Sequence, residues 1–167
     1  MVGIASTDAL WRVLDSVLDP EVPVLSVVDL GIVRDVRREG ETVVVDVTPT
    51  YSGCPAMQVI ERDMVAALQQ AGVASVRVNT VFQPAWTTDW ISDDARERLR
   101  AYGIAPPTGR APVGEELIPL RRRQESIACP HCGSTRTEMR SEFGSTACKA
   151  ILTCQACSQP FEYLKAI

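Results

Sequence analysis

The segment TVVVDVTPTYSGCPAMQVIERDM, residues 42–64, combines three features that decide how this chain folds. Val43, Val45 and Val47 alternate with other residues, which predicts a strand with one apolar face. Apolar residues then recur every three or four positions, which predicts an amphipathic helix. Its apolar positions are Met57, Ile60, Met64, Leu68 and Ala71. Between the strand and the helix lies a short loop that contains a single cysteine, Cys54.

Cys54 is preceded by Gly53 and followed by Pro55, a residue favoured at the first position of a helix. Cys54 is therefore predicted to lie at the helix N-terminus, where free backbone N–H groups and the helix dipole stabilise a thiolate. A thiolate in this position can attack an electrophile or bind a soft metal. The alternative is an inert, packed cysteine, with Pro55 serving only to start the helix. The residues themselves leave both interpretations open.

The segments on either side predict one small α+β domain. A first helix runs from a cap near Ser6 to a stop at Pro20. Strands are predicted at residues 32–38 and 74–82, and a last helix follows the capping residue Ser92. The order helix, two strands, helix, strand and helix predicts a sandwich of about 100 residues, with the helices covering one face of a sheet.

Composition divides the chain into three parts. Residues 1–103 form the predicted α+β domain, residues 104–125 a Pro-rich linker, and residues 126–167 a separate cysteine-rich module. The linker ends in a basic run, Arg121–Arg123. A net charge of −4 favours a solvated run over a nucleic-acid contact at these arginines.

Four of the six cysteines form two CxxC pairs, Cys129 with Cys132 and Cys154 with Cys157. Each pair bends the backbone so that two thiolates converge, and two facing pairs give the tetrahedral sulfur site that zinc favours. The module has few large apolar side chains, so a metal has to stabilise its fold. These patterns predict a zinc-ribbon β-hairpin, with iron in a rubredoxin-like site as the alternative because the same ligands bind both metals.

Two other residues of the module have ligand chemistry. His131, the only histidine, lies between two predicted ligands of one CxxC pair and is a poor candidate on geometric grounds. Cys148 belongs to neither pair. It is either a small buried residue of the hairpin or a second reactive or ligating thiol.

Three acids, Asp19, Glu21 and Asp29, precede the predicted sheet. They can approach the same end of the sheet as Cys54 and contribute to its chemistry. They can equally serve as turn and cap residues, which is the commoner role of acids in such segments.

Composition also excludes several classes of function. No apolar run approaches the roughly 20 residues that span a bilayer, and the first residues show no export signal. A reducing cytoplasmic location is therefore expected. The negative net charge argues against a general nucleic-acid binder. A hydrolase with a histidine base would depend on His131 inside a CxxC pair, so catalysis of that type is not expected.

At this point the motifs resemble a known family. DPEVPVLSVVDLGIV followed by TPTYSGCPAM resembles the DPE, DLG and CP motifs of the iron–sulfur assembly domain shared by SufT-like proteins, over about residues 10–103. The tail has SEFGSTACKA between its CxxC pairs and ends in FEYLKAI, and it is similar to the C-terminal part of the PaaD family of phenylacetate-degradation proteins. The fold implied by this resemblance agrees with the predicted order of elements.

The resemblance implies a non-catalytic maturation factor for the multicomponent phenylacetyl-CoA epoxidase, serving the iron–sulfur centre of its reductase component. It implies cluster or metal handling at Cys54. It also matches Asp19, Glu21 and Asp29 to the family's acidic motifs and Cys148 to its STACK motif. The implied cofactors are a structural zinc in the ribbon and a transient iron or iron–sulfur cluster. The implied partners are the reductase or oxygenase components and a second copy in a homodimer.

Two alternatives remain at this level. The chain can be a structural adaptor that stays in the epoxidase complex and carries an inert Cys54. A thiol oxidoreductase that uses Cys54 with Cys148 is the other alternative, although neither cysteine has a CxxC partner.

Overall fold

The structure is a computed structural model that describes residues 6–51, 53–108 and 126–166. Most of the predicted linker, including Arg121–Arg123, lies outside these described residues. By its internal contacts the chain divides into two compact units. Unit 1 comprises residues 1–86 and 90–92, and unit 2 comprises residues 87–89 and 93–167.

Unit 1 contains a three-stranded mixed sheet. Strand β1 (Val33–Glu39) pairs antiparallel with β2 (Thr42–Val47) through a tight turn, because only two residues separate them. Strand β3 (Ser75–Thr80) lies parallel to β2 on its other side. A parallel pair needs a long crossover connection, and the amphipathic helix predicted after Cys54 provides it.

Two helices supply the remaining core of unit 1. Helix α1 (Thr7–Leu14) is capped by the Ser6 hydroxyl, which accepts a hydrogen bond from the Ala9 backbone N–H. Helix α2 (Ala56–Gln70) is the crossover between β2 and β3. The fully buried side chains of the two helices are Leu10, Leu14, Ile60, Met64 and Leu68. These positions belong to the apolar stripes predicted from the sequence, and the α+β fold class is confirmed.

Helix α1 is shorter than predicted, because it ends at Leu14 and does not continue to Leu18. The backbone N–H of Val27 donates to the carbonyl of Val17 at 2.9 Å, and Leu18 forms an isolated antiparallel bridge with Ser26. These bonds to a later segment use backbone groups that another helical turn would require. The local apolar spacing was therefore overridden by a tertiary contact.

A polar network covers part of the unit 1 sheet. Arg37 donates to an Asp46 carboxylate oxygen at 2.5 Å, and the Asn79 amide donates to the other oxygen at 3.0 Å. Burial by itself raises the pKa of Asp46, but the hydrogen bonds from Arg37 and Asn79 outweigh burial and lower the pKa below its ordinary value. The network connects all three strands, since each of these residues lies on a different one.

Unit 2 contains the second sheet, and a single turn of 3-10 helix (Thr88–Trp90) lies at the division between the units. Its elements are helix α3 (Asp93–Tyr102) and strands β4 (Ile104–Ala105), β5 (Thr137–Ser141), β6 (Lys149–Cys154) and β7 (Pro160–Leu164). The strand order is β4-β7-β6-β5, with β4 parallel to β7 and the other pairs antiparallel. Among the described helices of both units, none is long and apolar enough to cross a bilayer.

The division between the units differs from the boundary that composition suggests. Helix α3 and strand β4 belong to unit 2, whereas the sequence places α3 in a domain that ends at Gly103. Two interactions explain this. Strand β4 pairs with β7, and the Arg96 guanidinium donates to the carbonyls of Thr88 and Pro107 at 2.8 and 2.7 Å. The ribbon is accordingly part of a four-stranded sheet that begins before the predicted linker.

Candidate metal centre and thiol site

The four cysteines of the two CxxC pairs converge at one point of unit 2. Their Sγ atoms all lie within 4.8 Å of one another, with Cys129 and Cys157 3.8 Å apart and Cys132 and Cys154 3.5 Å apart. Zinc–sulfur bonds of about 2.3 Å in a tetrahedron put the sulfurs about 3.8 Å apart. The donor set and its spacing therefore fit a tetrahedral thiolate metal site.

The two CxxC pairs have the same backbone geometry, although their sequences differ. In the first pair, the N–H of Cys129 donates to the carbonyl of Ser134 at 3.0 Å, and the N–H of Gly133 donates back to the carbonyl of Cys129 at 2.9 Å. In the second pair, Cys154 and the residues four and five positions after it form the same two bonds, at 2.9 and 3.0 Å. This repetition turns both pairs inward toward a common centre.

The residue after each CxxC pair adopts a left-handed backbone conformation. Gly133 has φ of +74° and Ser158 has φ of +62°. Glycine takes this conformation without strain, whereas serine takes it at a cost, so the local structure must compensate at Ser158. The sequence analysis missed Ser158, although its position corresponds to that of Gly133 and was a usable signal.

The electrostatics of the four thiols call for a cation. Backbone N–H groups of Cys157 and Ala156 donate toward the Cys154 sulfur and lower its pKa to about 6. Desolvation by burial raises the pKa of Cys129, whose sulfur lies beside that of Cys157. One thiolate is thus favoured and its neighbour is not. A bound divalent metal removes this conflict, because it stabilises all four thiolates together.

The core of unit 2 surrounds this centre. Cys129 and Cys154 are buried in a cluster whose other members are Ala105, Ile127, Ala150, Leu152, Phe161 and Tyr163. Cys132 is exposed and Cys157 is half-buried, so one side of the metal centre faces solvent. His131 is not part of the four-sulfur group, and its ring lies against Gly103, where an added Cβ would approach His131 Cε1 to 3.3 Å.

Cys54 lies in the loop directly before α2, and its side chain is half-buried. Its N–H donates to the carbonyl of Tyr51 at 3.3 Å, and its own carbonyl accepts from the N–H of Met57 at 3.2 Å. Pro55 is the capping residue rather than the first helical residue, one position earlier than predicted. No side chain caps the helix, and its first turn contains no acid. The helix terminus next to Cys54 therefore has no anionic or capping side chain of its own.

Within the described residues, only the four tail cysteines form a group of three or more potential metal ligands. Cys54 and the acids Asp19, Glu21 and Asp29 belong to no such group. A metal or cluster held at Cys54 would therefore need further ligands from outside these described parts of the chain.

Two of the three acids make the contacts of turn residues. One carboxylate oxygen of Asp19 accepts from the N–H groups of Glu21 and Val22, at 2.7 and 2.9 Å. The Asp29 carboxylate accepts from the Ser26 N–H at 2.9 Å, and the Ser26 hydroxyl accepts from the Asp29 N–H at 3.0 Å. These bonds shape the connection between α1 and β1. A role in metal handling stays a prediction for all three acids.

The DLG motif is held by two tryptophans that the sequence analysis did not single out. Gly31 has φ of +68°, and an added Cβ would lie 3.0 Å from Cβ of Trp90. The Trp86 indole N–H donates to the carbonyl of Leu30 at 2.8 Å. The Arg34 guanidinium stacks 3.5 Å from the centre of the Trp90 ring. Glycine is thus required in this motif for both conformation and space.

Cys148 lies outside the four-sulfur group and just before β6. It is half-buried, and its sulfur lies 3.1 Å from the Thr146 hydroxyl. The next residue, Lys149, is a buried lysine whose ammonium pairs with the Glu162 carboxylate at 2.9 Å. A chemical role for Cys148 remains a prediction.

Two family models match this chain. Residues 7–81 match an iron–sulfur cluster assembly protein family, and residues 115–165 match the PaaD zinc beta ribbon domain. Fold and sites together therefore define a protein with an iron–sulfur-assembly-type domain followed by a zinc ribbon with a four-cysteine metal-binding group.

The chain is 47% identical over 158 residues to a protein of Escherichia coli (strain K12) that is described as the D component, a subunit, of a "Putative 1,2-phenylacetyl-CoA epoxidase". The match covers 95% of this chain and 92% of that relative. The chain belongs to the PaaD family of phenylacetyl-CoA epoxidase components. The resemblance inferred from the DPE, DLG, CP and STACK motifs is confirmed.

Other relatives match unit 1 and its surroundings. A Porphyromonas gingivalis protein described as an Fe-S protein maturation auxiliary factor is 38% identical over 99 residues, covering 58% of this chain and 92% of that relative. The crystal structure of a DUF59 domain from Bacillus anthracis superposes with a TM-score of 0.51 at 33% identity, covering 55% of this chain and 89% of that one. These two relatives thus lack a counterpart to much of the tail.

Proposed function

We propose that this chain is a non-catalytic, cytoplasmic maturation factor for the multicomponent phenylacetyl-CoA epoxidase. It handles iron or an iron–sulfur cluster for the reductase component. The proposal joins the two kinds of relative: the epoxidase component, which is similar over nearly the whole chain, and the maturation auxiliary factor, which is similar over the first part.

The observation that carries this proposal is the position of Cys54. Its thiol lies before an α2 N-terminus that has no capping side chain and no acid in its first turn, within the residues that match the iron–sulfur cluster assembly family. Such a terminus favours an anion, so a thiolate can form there and bind iron.

The ligand count at Cys54 favours a carrier over a permanent iron protein. Among the described residues, Cys54 belongs to no group of three or more potential ligands. Iron held by one protein thiolate has to be completed by ligands from the client or from the Cys54 of a second copy in a homodimer. Incomplete ligation weakens binding, and weak binding suits cargo that is passed on.

The ribbon has a different role in this proposal. Zinc at Cys129, Cys132, Cys154 and Cys157 stabilises unit 2, since the sulfur spacing fits a tetrahedral site and the surrounding core is small. The ribbon presents a folded surface to the epoxidase component that receives the cluster. No chemistry is assigned to this zinc.

Replacement of Cys54 tests the carrier function. The reductase component is expressed with wild-type chain, with Cys54→Ser, or with Cys148→Ser as the matched control, and its iron and sulfide are then measured anaerobically. Cys54→Ser should yield reductase with an empty cluster site, whereas Cys148→Ser should yield loaded reductase. A fully loaded reductase beside folded Cys54→Ser protein would rule the carrier function out.

A second candidate is a structural adaptor that stays in the epoxidase complex. The description of the Escherichia coli relative as a subunit favours it. An adaptor co-purifies with the oxygenase at a fixed stoichiometry and tolerates Cys54→Ser without loss of epoxidase activity. A maturation factor is absent from the purified, active complex.

A further inference from the structure

The loop between β5 and β6, residues 142–148, exposes a large aromatic side chain. Phe143 is 63% exposed, although apolar side chains of this size are usually covered. We call residues 142–148 the Phe143 loop.

Hydrogen bonds hold the Phe143 loop in one conformation. The Ser141 hydroxyl accepts from the Phe143 N–H at 3.2 Å and donates to the Phe143 carbonyl at 2.7 Å. The N–H of Gly144 donates to the carbonyl of Lys149 at 2.7 Å. Both sides of the exposed residue are thus fixed.

A buried ion pair anchors the base of the loop. The Lys149 side chain is only 3% exposed, and its ammonium pairs with Glu162 of β7 at 2.9 Å. The Ser145 hydroxyl donates to the other Glu162 oxygen at 3.1 Å. The loop is therefore attached to the sheet through Glu162 as well as through its own ends.

Lys165 completes this surface. Its ammonium donates to the backbone carbonyl of Glu142 at 3.0 Å and lies 4.7 Å from the centre of the Phe143 ring. No carboxylate of the described residues forms an ion pair with Lys165. The loop thus offers a fixed aromatic ring beside a positive charge that has no carboxylate counterpart in this part of the chain.

This combination is what a binding anchor requires. An aromatic residue that is already held in place loses little conformational entropy on binding, and aromatic residues dominate interface energies. The adjacent ammonium favours a partner that has an acidic group at the edge of the contact.

Resting on the function proposed above, we propose that the Phe143 loop docks the client protein. Phe143 enters an apolar pocket on the epoxidase component, and Lys165 pairs with a carboxylate at the rim of that pocket. The occupant is the client and not a second copy of this chain, because the described surface around Lys165 leaves the ammonium without a carboxylate partner.

Binding of purified components tests this proposal. Full-length zinc-loaded chain is titrated by calorimetry against the reductase component and, separately, the oxygenase components. Phe143→Ser should weaken the dissociation constant of the bound component by roughly 30-fold, equal to about 2 kcal/mol. Phe82→Ser is the matched control, because Phe82 is a 59% exposed phenylalanine of unit 1. Zinc content and circular dichroism verify that each variant is folded.

Variants of Lys165 separate charge from packing. Lys165→Glu should weaken binding by roughly tenfold at low salt, and Lys165→Met by less, because the methionine keeps contact with the Phe143 ring. The difference between the two variants should shrink at high salt, where ion pairs at a rim are screened.

The outcomes distinguish this inference from the proposed function. Tight binding of wild type with equal binding by Phe143→Ser overturns the docking role of the loop and leaves the maturation function standing. Wild-type chain that binds no component overturns the client relationship and the docking role with it. A wild-type dimer that Phe143→Ser converts to a monomer, measured by light scattering, assigns the surface to self-association and also overturns the docking role.

Discussion

Removal of the metal from the ribbon is expected to unfold unit 2 and to leave unit 1 folded. The perturbation is a strong chelator in the presence of a reductant, with the zinc-loaded chain as the reference. The structure predicts that the loss extends beyond residues 126–166 to helix α3, because α3 and β4 belong to the unit that contains the ribbon.

The sulfur spacing gives the magnitude. Two thiolates 3.5 Å apart, as Cys132 and Cys154 are, repel by about 5 kcal/mol at an effective dielectric constant of about 20. Without a cation the sulfurs must therefore take up protons, and the stabilisation from zinc, about 10–16 kcal/mol in zinc-finger peptides, is lost. A domain is stable by only about 5–15 kcal/mol in total, so the loss is sufficient to unfold unit 2.

Hydrogen–deuterium exchange with peptide resolution is the assay. After chelation, amides of β6 and β7 should exchange at the rate of an unfolded chain, and amides of α3 should accelerate with them. Amides of β2 and α2 should keep the exchange rates of the zinc-loaded chain. Re-addition of zinc should restore the protection.

Two results would refute this reasoning. Retained protection of β6 after verified loss of zinc means that the core of unit 2 is sufficient without metal. Loss of protection in β6 with retained protection in α3 means that α3 folds with residues 1–103, as the composition of the chain suggests, and that the division of the units is misplaced.

Three further outcomes follow from the structure. Gly31→Ala should lower the free energy of unfolding of unit 1 by roughly 2 kcal/mol in urea denaturation, because it combines a positive φ with a 3.0 Å approach to Trp90. Gly40→Ala, with φ of +64° and open space around it, should cost about half as much, and equal costs would contradict the contact argument. The stabilisation from ionised Asp46 should be complete above pH 3.8 and decline as acid protonates it, because folding lowers its pKa, and Asp46→Asn should remove this part of the pH dependence of urea midpoints. Cys148→Ser should keep one zinc per chain by elemental analysis, and a lower ratio would place Cys148 among the ligands.

The most local signals of the sequence were the most reliable. The period of the apolar residues located α2 and its buried face, and alternation located β2, because burial on one side of a helix or strand leaves a period in the chain. The two CxxC pairs located the metal ligands for a similar reason, since each pair is a local bend. The matching left-handed residue at Ser158 was not recognised, because serine is unusual in that conformation.

The errors arose where distant segments compete for the same backbone groups. Helix α1 ends early because residues 25–27 bond to the residues that follow Leu14. The last helix was assigned to the first domain because its own sequence carries no sign that β4 pairs with β7. The tryptophans over Gly31 were likewise invisible in a linear reading, since they lie more than fifty residues away in the chain.

The order of residues alone thus specified the α+β class, the helix and strand faces of unit 1 and the four sulfur ligands, because each depends on a short-range pattern. Tertiary structure decided where α1 stops, which unit contains α3, how the two CxxC pairs meet, and that Phe143 is held fixed and exposed. These features depend on bonds between segments that are far apart in sequence, and no local periodicity records such bonds.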